Sequence, residues 1–300
     1  MIYESPLAYV LGLEGVALLR SFTGKHDRAF VEARIGEIRK LLDDESLASA
    51  AVDVARVDTV EGYRIWSSTY DDVPNSAFEF DEPVVTEIVD ALPAGVALDA
   101  ACGTGRYAAA LSARGHQVLG VDSSPEMLDH ARRRVPNARF EVGDLHRLPV
   151  ADGAMDLVVC GLALVHVPDL DPVLAEFARV LRPGGHLVIA DVHPEGIARG
   201  SVPTVRDADG RPGRLVAYRH LVGDYLRAAL RAGLQPLRCE EPRLPVGDPS
   251  VAREVPTAAD VVRRWDVWPW SLTALVPEAA RAANEGAPAM LIWHFRAADS

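Results

Sequence analysis

Three aspartates stand at the ends of apolar runs near the middle of the chain: Asp99 in VALDA, Asp122 in HQVLGVD and Asp144 in ARFEVGD. Two glycines, Gly103 and Gly105, follow the first run and precede a helical pattern. Glycines at such a position let backbone amides approach a ligand at a helix N-terminus. A ligand with a cationic end, a ribose diol and an adenine accounts for all three acids together.

The glycine segment by itself leaves two other interpretations open. Gly103–Ala108 also fits the dinucleotide fingerprint G-x-G-x-x-G/A, with Asp122 about 20 residues further on. A tight turn between a strand and a helix, with no ligand, produces the same pattern. Asp99 argues against a nicotinamide dinucleotide, because a carboxylate close to the glycine turn would repel a pyrophosphate and attract an ammonium or sulfonium group. Asp144 is a further acid that such a dinucleotide leaves unexplained.

The acids can meet only if their strands lie side by side in parallel. From Gly95 onward, strand-length apolar runs alternate with helical patterns. This alternation predicts an α/β fold, a Rossmann-like doubly wound and mostly parallel seven-stranded sheet with an antiparallel last strand, covered by helices on both faces. Ligands of such sheets bind beyond the carboxyl ends of the strands. The predicted strands are 96–100, 116–122, 138–144, 155–163, 186–192, 235–240 and 289–296, and the predicted helices are 83–92, 106–114, 125–134, 147–150, 170–182 and 221–232.

The N-terminal part has a different periodicity. Its apolar residues recur at helical spacing, which predicts an N-terminal helical cap over residues 1–82. Residues 83–300 are predicted to form the Rossmann-like core, with a cap insert at about 245–286. Trp265, Trp268 and Trp270 of this insert either fill an apolar core or line an acceptor site.

Five motifs between residues 94 and 192 resemble, in their order and spacing, those of class I S-adenosylmethionine-dependent methyltransferases. They are DAACGTG from Asp99, VDSSPEML from Val121, GDLHRLP from Gly143, MDLVVCGLALVHVPD from Met155 and LRPGG from Leu181. The helical cap and the insert resemble, in composition, those of bacterial small-molecule methyltransferases of secondary metabolism. The resemblance implies S-adenosyl-L-methionine as the cofactor and methyl transfer as the reaction.

The resemblance also assigns contacts to the cofactor. It implies that Asp99 lies near the methionyl ammonium and that Gly103 and Gly105 pass under the methionine and ribose. The resemblance likewise implies that Asp122 accepts hydrogen bonds from both ribose hydroxyls. The full set of implied cofactor-binding residues is Tyr70, Asp99, Ala101, Gly103, Gly105, Asp122, Ser123, Met127, Asp144, Leu145 and Cys160.

Other residues of this set are expected to contact the adenine or to shape the glycine turn. Asp144 and the Leu145 amide are expected to read adenine, with Met127 or Leu145 packing on the ring. Cys160 has a second interpretation as a small buried packing residue. Ala101 stands where the commonest pattern has glycine, which costs little if its φ is negative.

Two histidines are candidate catalytic bases. His166 follows the fourth predicted strand and His193 follows the fifth, and a neutral imidazole can take the proton of a hydroxyl acceptor. Each histidine could instead pack and hydrogen-bond locally, and we rank His166 first. Tyr63, Trp66 and Tyr70 precede the core and either pack a helix or cover the sulfonium with their ring faces.

Composition limits the classes of partner. The formal charge of −12 and the isoelectric point near 5.2 argue against nucleic acid and anionic membranes, because phosphate contacts need a basic face. No apolar run is long enough to span a bilayer. The three cysteines lack C-x-x-C spacing, which favours a reducing cytoplasm. The sequence leaves a homodimer open as the oligomeric state.

The sequence therefore predicts S-adenosylmethionine-dependent methyl transfer to a small-molecule acceptor, at a hydroxyl of a secondary metabolite. The alternative is a cyclase-type enzyme that binds the cofactor on the same fold and does not methylate.

Overall fold

The computed structural model describes residues 1–71, 77–207, 209–244 and 255–299. The chain divides into two compact units. The first unit comprises Met1–Val57, Gly200–Leu215 and Leu244–Ala287, and the second comprises Asp58–Arg199, Val216–Arg243 and Pro288–Ser300. The predicted N-terminal cap covered residues 1–82. In the structure, the first unit ends its N-terminal segment at Val57, and the second unit begins at Asp58. The beginning of the predicted insert, residues 245–254, lies outside the described residues.

The elements follow one another in mixed α and β order. The helices are α1 Pro6–Ser21, α2 Arg28–Leu42, α3 Glu45–Ala48, α4 Thr59–Trp66, α5 Phe78–Asp90, α6 Arg106–Ala113, α7 Pro125–Arg134, α8 Leu170–Val180, α9 Pro194–Ala198, α10 Val222–Arg231, α11 Ala258–Val262 and α12 Pro277–Asn284. The strands are β1 Ile2–Glu4, β2 Val52–Val57, β3 Val96–Ala100, β4 Gln117–Asp122, β5 Arg139–Val142, β6 Met155–Gly161, β7 Leu181–Val192, β8 Thr204–Arg206, β9 Pro212–Leu215, β10 Leu234–Glu240 and β11 Met290–Ala297. Short 3₁₀ turns span Leu164–His166, Trp265–Val267 and Trp270–Leu275.

The first unit has a four-stranded sheet in the order β1-β2-β9-β8. Helix α1 packs against α2 and α12. Trp265 and Trp268 are buried in this unit's apolar core, whereas Trp270 is half exposed. The indole Nε1 of Trp265 donates to Glu4 Oε2 at 2.9 Å, and Arg214 forms a salt bridge with the same carboxylate. Two of the three tryptophans are thus core residues of the first unit.

The second unit has a seven-stranded sheet in the order β10-β11-β7-β6-β3-β4-β5. The five strands from β7 to β5 are parallel, and β11 is antiparallel to both β7 and β10. This confirms the predicted fold class. The predicted strand at 96–100 coincides with β3, and the predicted helix at 125–134 coincides with α7.

Both faces of this sheet are covered, which explains why its inner strands are apolar at almost every position. On one face, Ala97 of β3 joins a core with residues of α5 and α6. On the other face, Leu98 joins a core with residues of α8 and α10. The strand ends are therefore where polar side chains can be placed without disrupting either core.

Several predicted boundaries shift by one or two residues, and the starts of α5 and β7 each shift by five. Helix α5 begins at Phe78 and contains Pro83, which was predicted to start the helix. Strand β7 begins at Leu181, five residues earlier than predicted. The predicted one-turn helix at 147–150 is wrong: a bridge between Asp144 and Arg147 closes a turn over 144–147, and the residues that follow it up to 150 are not helical. Pro149 disfavours the helical backbone at the residue before it.

No helix among the described residues combines the length and the apolar character needed to cross a bilayer. The three cysteines are free thiols, with Cys102 and Cys160 buried and Cys239 exposed.

Gly105 caps α6 in the left-handed region, with φ of +83°. A Cβ added there would lie 3.1 Å from Cα and Cβ of Ala131 in α7. We expect Gly105→Ala to lose about 1–2 kcal/mol of unfolding free energy from backbone strain alone, and more from this contact. Urea unfolding measures the loss.

Gly24→Ala is the matched control for this substitution. Gly24 has φ of +78°, and a Cβ there meets nothing within 4 Å, so only backbone strain is added. Equal losses in the two variants would show that the packing of α6 on α7 does not require glycine.

Candidate functional site

A cavity of about 1160 Å³, counted with its open mouth, lies at the carboxyl ends of β3, β4 and β6 in the second unit. Its position is the one expected for a ligand site on a parallel sheet. The lining residues are Thr59, Val60, Tyr63, Tyr70, Phe78, Asp99, Ala101, Cys102, Gly103, Thr104, Arg106, Tyr107, Val121, Asp122, Ser123, Gly143, Asp144, Leu145, His146, Gly161, Leu162, Ala163, His166, Val167 and Pro168.

The turn after β3 forms one wall of the cavity. The Cys102 amide donates to the carbonyl of Val121 at 3.0 Å, and the Gly105 amide donates to the carbonyl of Cys102 at 2.8 Å. Ala101 has φ of +58°, so the condition under which this alanine would cost little, a negative φ, is not met. The left-handed backbone costs a residue with a Cβ about 1–2 kcal/mol, and these hydrogen bonds hold the turn in place against that cost.

Asp99 is a buried carboxyl group, 1% exposed, at the next-to-last position of β3. Its Oδ2 accepts a hydrogen bond from the Ala108 amide at 2.7 Å. Burial raises the pKa of Asp99 to about 7. A cation in the cavity would favour its charged form, because a nearby positive charge offsets the desolvation of a carboxylate.

Asp122 joins the end of β4 to the glycine turn. Its Oδ2 accepts from the Gly103 amide at 2.8 Å, and its Oδ1 accepts from the Ser124 amide at 2.9 Å. Burial raises the pKa of Asp122, and these backbone hydrogen bonds oppose that rise. The carboxylate therefore has a fixed orientation at the cavity wall, where its remaining lone pairs can accept from hydroxyl groups.

Asp144 and Leu145 follow β5 and line the cavity. Oδ1 of Asp144 accepts from the His146 amide at 2.7 Å and lies 2.6 Å from Nδ1 of the same histidine. Burial opposes ionisation of Asp144, but the hydrogen bonds from His146 outweigh it and hold the pKa below its ordinary value. This acid is charged at neutral pH.

His166 lies in the 3₁₀ turn after β6 and faces the cavity. Its Nδ1 is 2.7 Å from the carbonyl oxygen of Val216. Because a carbonyl oxygen only accepts, Nδ1 carries the hydrogen and Nε2 is the unprotonated nitrogen. Nε2 is 3.2 Å from the hydroxyl of Tyr63, which therefore donates to it. Burial lowers the pKa of His166, so the imidazole is neutral and able to accept a proton at pH 7.

A buried aspartate holds the turn that carries His166. Asp191 of β7 is 1% exposed, and its Oδ2 accepts from the Val165 amide at 2.7 Å. Its Oδ1 accepts from the Val192 amide at 2.8 Å, and burial raises its pKa to about 7. Asp191 was not among the predicted site residues. The signal that could have identified it as the residue that holds this turn is an acid inside the apolar run LVIADV, because a charged residue in a covered strand needs a buried partner.

The segment 216–220 closes over the same turn. The Tyr218 amide donates to the carbonyl of Val165 at 2.7 Å. The imidazole Nε2 of His220 lies 2.7 Å from the carbonyl of Val167. Together with the bond from His166 to Val216, these contacts fix the ring orientation. No local pattern in the sequence indicates this pairing.

The structure places four of the predicted site residues outside the cavity lining. Met127 is fully buried in α7, and Cys160 is buried in β6. Gly105 packs against Ala131 of α7. His193 is buried, with Nε2 2.9 Å from Glu241 and Nδ1 accepting from the Glu195 amide at the start of α9. The other predicted cofactor residues line the cavity with His166.

Arg106 is a lining residue that the sequence analysis missed. Its guanidinium lies 4.0 Å from the ring centroids of both Phe78 and Tyr107. It donates to Asp81, a fully buried acid that also accepts from the Tyr107 hydroxyl at 2.7 Å. The sequence signal for Arg106 was its position at the start of the helix after the glycine turn. Its partner Asp81 is 25 residues away along the chain, so local sequence does not indicate the pair.

The aromatic residues before the core form a cluster. The ring centroid of Tyr63 is 5.9 Å from that of Trp66 and 6.2 Å from that of Tyr70. Tyr63 and Tyr70 line the cavity. Asp71 accepts from Thr104 at 3.1 Å and from Arg134 at 2.8 Å, which ties this segment to the glycine turn.

Comparisons with known proteins identify the segment that builds this cavity. A sequence profile described as a methyltransferase domain matches residues 98–189. An S-adenosylmethionine-dependent methyltransferase from Mesorhizobium loti superposes with a TM-score of 0.50 at 25% identity, covering 74% of this chain and 98% of that one. Residues 98–189 form an S-adenosylmethionine-dependent methyltransferase domain. The family resemblance of the five motifs and the cofactor it implies are thereby confirmed.

Segments similar to the methyltransferase domain occur within other curated proteins. The malonyl-[acyl-carrier protein] O-methyltransferase of Serratia marcescens is 38% identical over 111 residues, which are 37% of this chain and 42% of that protein. The chain spans between 33% and 42% of the length of the first curated relatives it matches. The [4+2]-cyclase SpnF has a TM-score of 0.54 at 19% identity, covering 83% of this chain and all of that one, and shares the fold.

The residues of the cavity fit the cofactor of the methyltransferase domain. A Cβ at Gly103 would meet nothing within 4 Å, so the glycine leaves open space beside the turn. Asp99 supplies a desolvated carboxylate suited to an ammonium group. Asp122 supplies a fixed carboxylate suited to hydroxyl donors.

The raised pKa of Asp99 makes the stability of the cofactor-free protein depend on pH. Because the folded-state pKa of about 7 lies above the unfolded value, protonated Asp99 stabilises the fold at low pH, and this contribution is lost as pH rises through 7. Asp99→Asn stays neutral throughout. Relative to wild type, its unfolding free energy should rise by about 2–3 kcal/mol between about pH 5 and pH 8.

Denaturant unfolding at several pH values measures this difference. Asp129→Asn, an exposed carboxyl of α7, is the control and should follow wild type. A constant difference between Asp99→Asn and wild type across this range would contradict the burial argument.

Proposed function

We propose that this protein transfers the methyl group of S-adenosylmethionine to a hydroxyl of a small-molecule acceptor, with His166 as the general base. The observation that carries the proposal is the state of His166. Its Nδ1 hydrogen is bound to the carbonyl of Val216, so its unprotonated Nε2 is the nitrogen that can take up a proton, and His166 lines the cavity. A base within hydrogen-bond reach of the acceptor lowers the barrier of proton removal.

The cofactor brings a methyl group bound to a cationic sulfur, which is the electrophile of the reaction. The side chains of this chain supply position and charge around it. Asp99 would hold the ammonium group, Asp122 the ribose hydroxyls, and Asp144 with the Leu145 amide the adenine. Leu145 is the side chain suited to pack on the adenine ring, because it lines the cavity and Met127 does not.

An uncharged or weakly charged small molecule suits this cavity better than a nucleic acid. The chain carries a formal charge of −12, and three acids line the cavity wall. Phosphate backbones would be repelled by that field. The three free thiols favour a reducing cytoplasm as the compartment.

A screen of hydroxyl-bearing metabolites with a deuterated methyl donor tests the proposal. Products that gain the labelled methyl group, formed together with S-adenosylhomocysteine, support methyl transfer. Turnover that consumes no cofactor would instead support the cyclase-type alternative, which uses the same fold.

Asp122→Ala should weaken the binding of S-adenosylhomocysteine by about 1–3 kcal/mol, because hydrogen bonds to the ribose that involve a charged group are lost. Isothermal titration calorimetry measures the affinity, with Asp129→Ala as the surface control. Wild-type affinity in Asp122→Ala would remove the ribose assignment.

His166→Ala should lower kcat by roughly 10²–10⁴ with little change in cofactor affinity, because only the proton acceptor is removed. In wild type the rate should rise with pH through an ionisation below the ordinary histidine pKa and then level off, because only the neutral ring accepts a proton. His193→Ala should lose less, since His193 is bonded to Glu241 away from the lining. A larger loss in His193→Ala would exchange the two roles.

A further inference from the structure

Tyr63 stands beside the proposed base. Its hydroxyl donates to Nε2 of His166 across 3.2 Å, and both side chains line the cavity. While this hydrogen bond exists, the lone pair of Nε2 is already engaged. An acceptor hydroxyl must therefore either displace Tyr63 or bond to its phenol oxygen, which can accept as well as donate.

The surroundings of Tyr63 favour the second arrangement. Helix α4 is capped by Asp58, which accepts from the Glu61 amide at 3.0 Å. The Tyr63 ring has Trp66 at 5.9 Å on one side and meets the edge of the His166 ring at 5.7 Å and 82°. Displacing the hydroxyl would disturb these aromatic contacts, so the geometry keeps the phenol oxygen in place.

The charges near Tyr63 decide which role the phenol can have. Burial, together with the Tyr70 hydroxyl and the carboxylates of Asp122 and Asp191, raises the pKa of Tyr63 well above its ordinary value. Tyr63 therefore keeps its proton at neutral pH and cannot be the final base. Asp99, Asp122 and Asp144 line the same cavity, and the lining Arg106 is already paired with Asp81, so a negatively charged group beside the hydroxyl is disfavoured.

We propose that Tyr63 is the catalytic residue that contacts the acceptor, receiving its hydroxyl proton and passing its own proton to His166, and that the acceptor is an uncharged hydroxyl compound and not a carboxylate. This inference rests on the proposed function and names the substrate class of the same site. An enzyme with such a site would methylate an uncharged hydroxyl group and not a carboxylate.

The step balances in atoms and charge. The acceptor oxygen forms a bond to the methyl carbon while the carbon–sulfur bond breaks and its electron pair stays on sulfur as a thioether. The acceptor hydroxyl proton moves to the phenol oxygen of Tyr63 as the Tyr63 proton moves to Nε2 of His166. The positive charge that began on sulfur ends on the imidazolium.

Binding of simple probes to the protein loaded with S-adenosylhomocysteine tests the inference without knowledge of the natural acceptor. The probes are 2-naphthol, 2-methoxynaphthalene, which lacks the donor, and 2-naphthoate, which is charged. We expect 2-naphthol to bind roughly 3–10-fold more tightly than 2-methoxynaphthalene, the effect of one hydrogen bond. We expect 2-naphthoate to bind more weakly than both.

Tyr63→Phe keeps the ring and removes the hydroxyl. It should weaken 2-naphthol roughly 3–10-fold and leave 2-methoxynaphthalene unchanged. By ¹⁵N NMR, the His166 Nε2 resonance should shift in this variant, because the nitrogen loses its donor. Tyr3→Phe, an exposed tyrosine of the first unit, is the matched control and should change neither measurement.

The outcomes separate this inference from the proposed function. If S-adenosylhomocysteine binds but 2-naphthoate binds as tightly as 2-naphthol, or if Tyr63→Phe leaves 2-naphthol affinity unchanged or tighter, the role of Tyr63 is overturned and the proposed function stands. Failure of 2-naphthol to bind at millimolar concentration also overturns it. Failure of S-adenosylhomocysteine to bind overturns the proposed function itself.

Discussion

The parallel register of β3 with both of its neighbours is the constraint on which the site depends. Asp99 lies opposite Gly120 of β4 and Val159 of β6. The three strands therefore end at one level, and the turns that follow them converge. Because of this convergence, the Asp122 carboxylate reaches the Gly103 amide and the turn after β6 faces the same space. A shift of one strand would separate these groups.

Buried carboxylates at this edge cost free energy, and the backbone offsets part of that cost. Asp99, Asp122 and Asp191 each accept hydrogen bonds from main-chain amides. Such bonds satisfy the oxygens and fix the side-chain directions, but they do not supply a positive charge. At Asp99, a cationic ligand can offset the desolvation cost that remains. At Asp191 the same chemistry instead holds the backbone that carries His166.

The pair formed by Tyr63 and His166 comes from residues 103 positions apart in the chain. Tyr63 belongs to a helix that precedes the sheet, whereas His166 belongs to the short 3₁₀ turn that follows β6. The ring direction of His166 then depends on Val216, which is 50 positions further along. Three separate segments thus set the protonation and orientation of one imidazole.

The sequence alone was sufficient for the seven strands of the sheet, for the acids at the strand ends and for the family, although it wrongly predicted a helix at 147–150. These features are encoded locally, because strand and helix periodicities and a glycine turn depend on neighbouring residues. The tertiary structure decided the positive φ of Ala101, the choice of Leu145 over Met127 at the cavity, the burial of His193 and the partnership of Tyr63 with His166. The residues that set these features are distant in sequence, and contact between them depends on how the covered sheet packs. The assignment of residues 58–82 to the second unit depended on such long-range contacts as well, since helical periodicity indicates a helix and not the unit it joins.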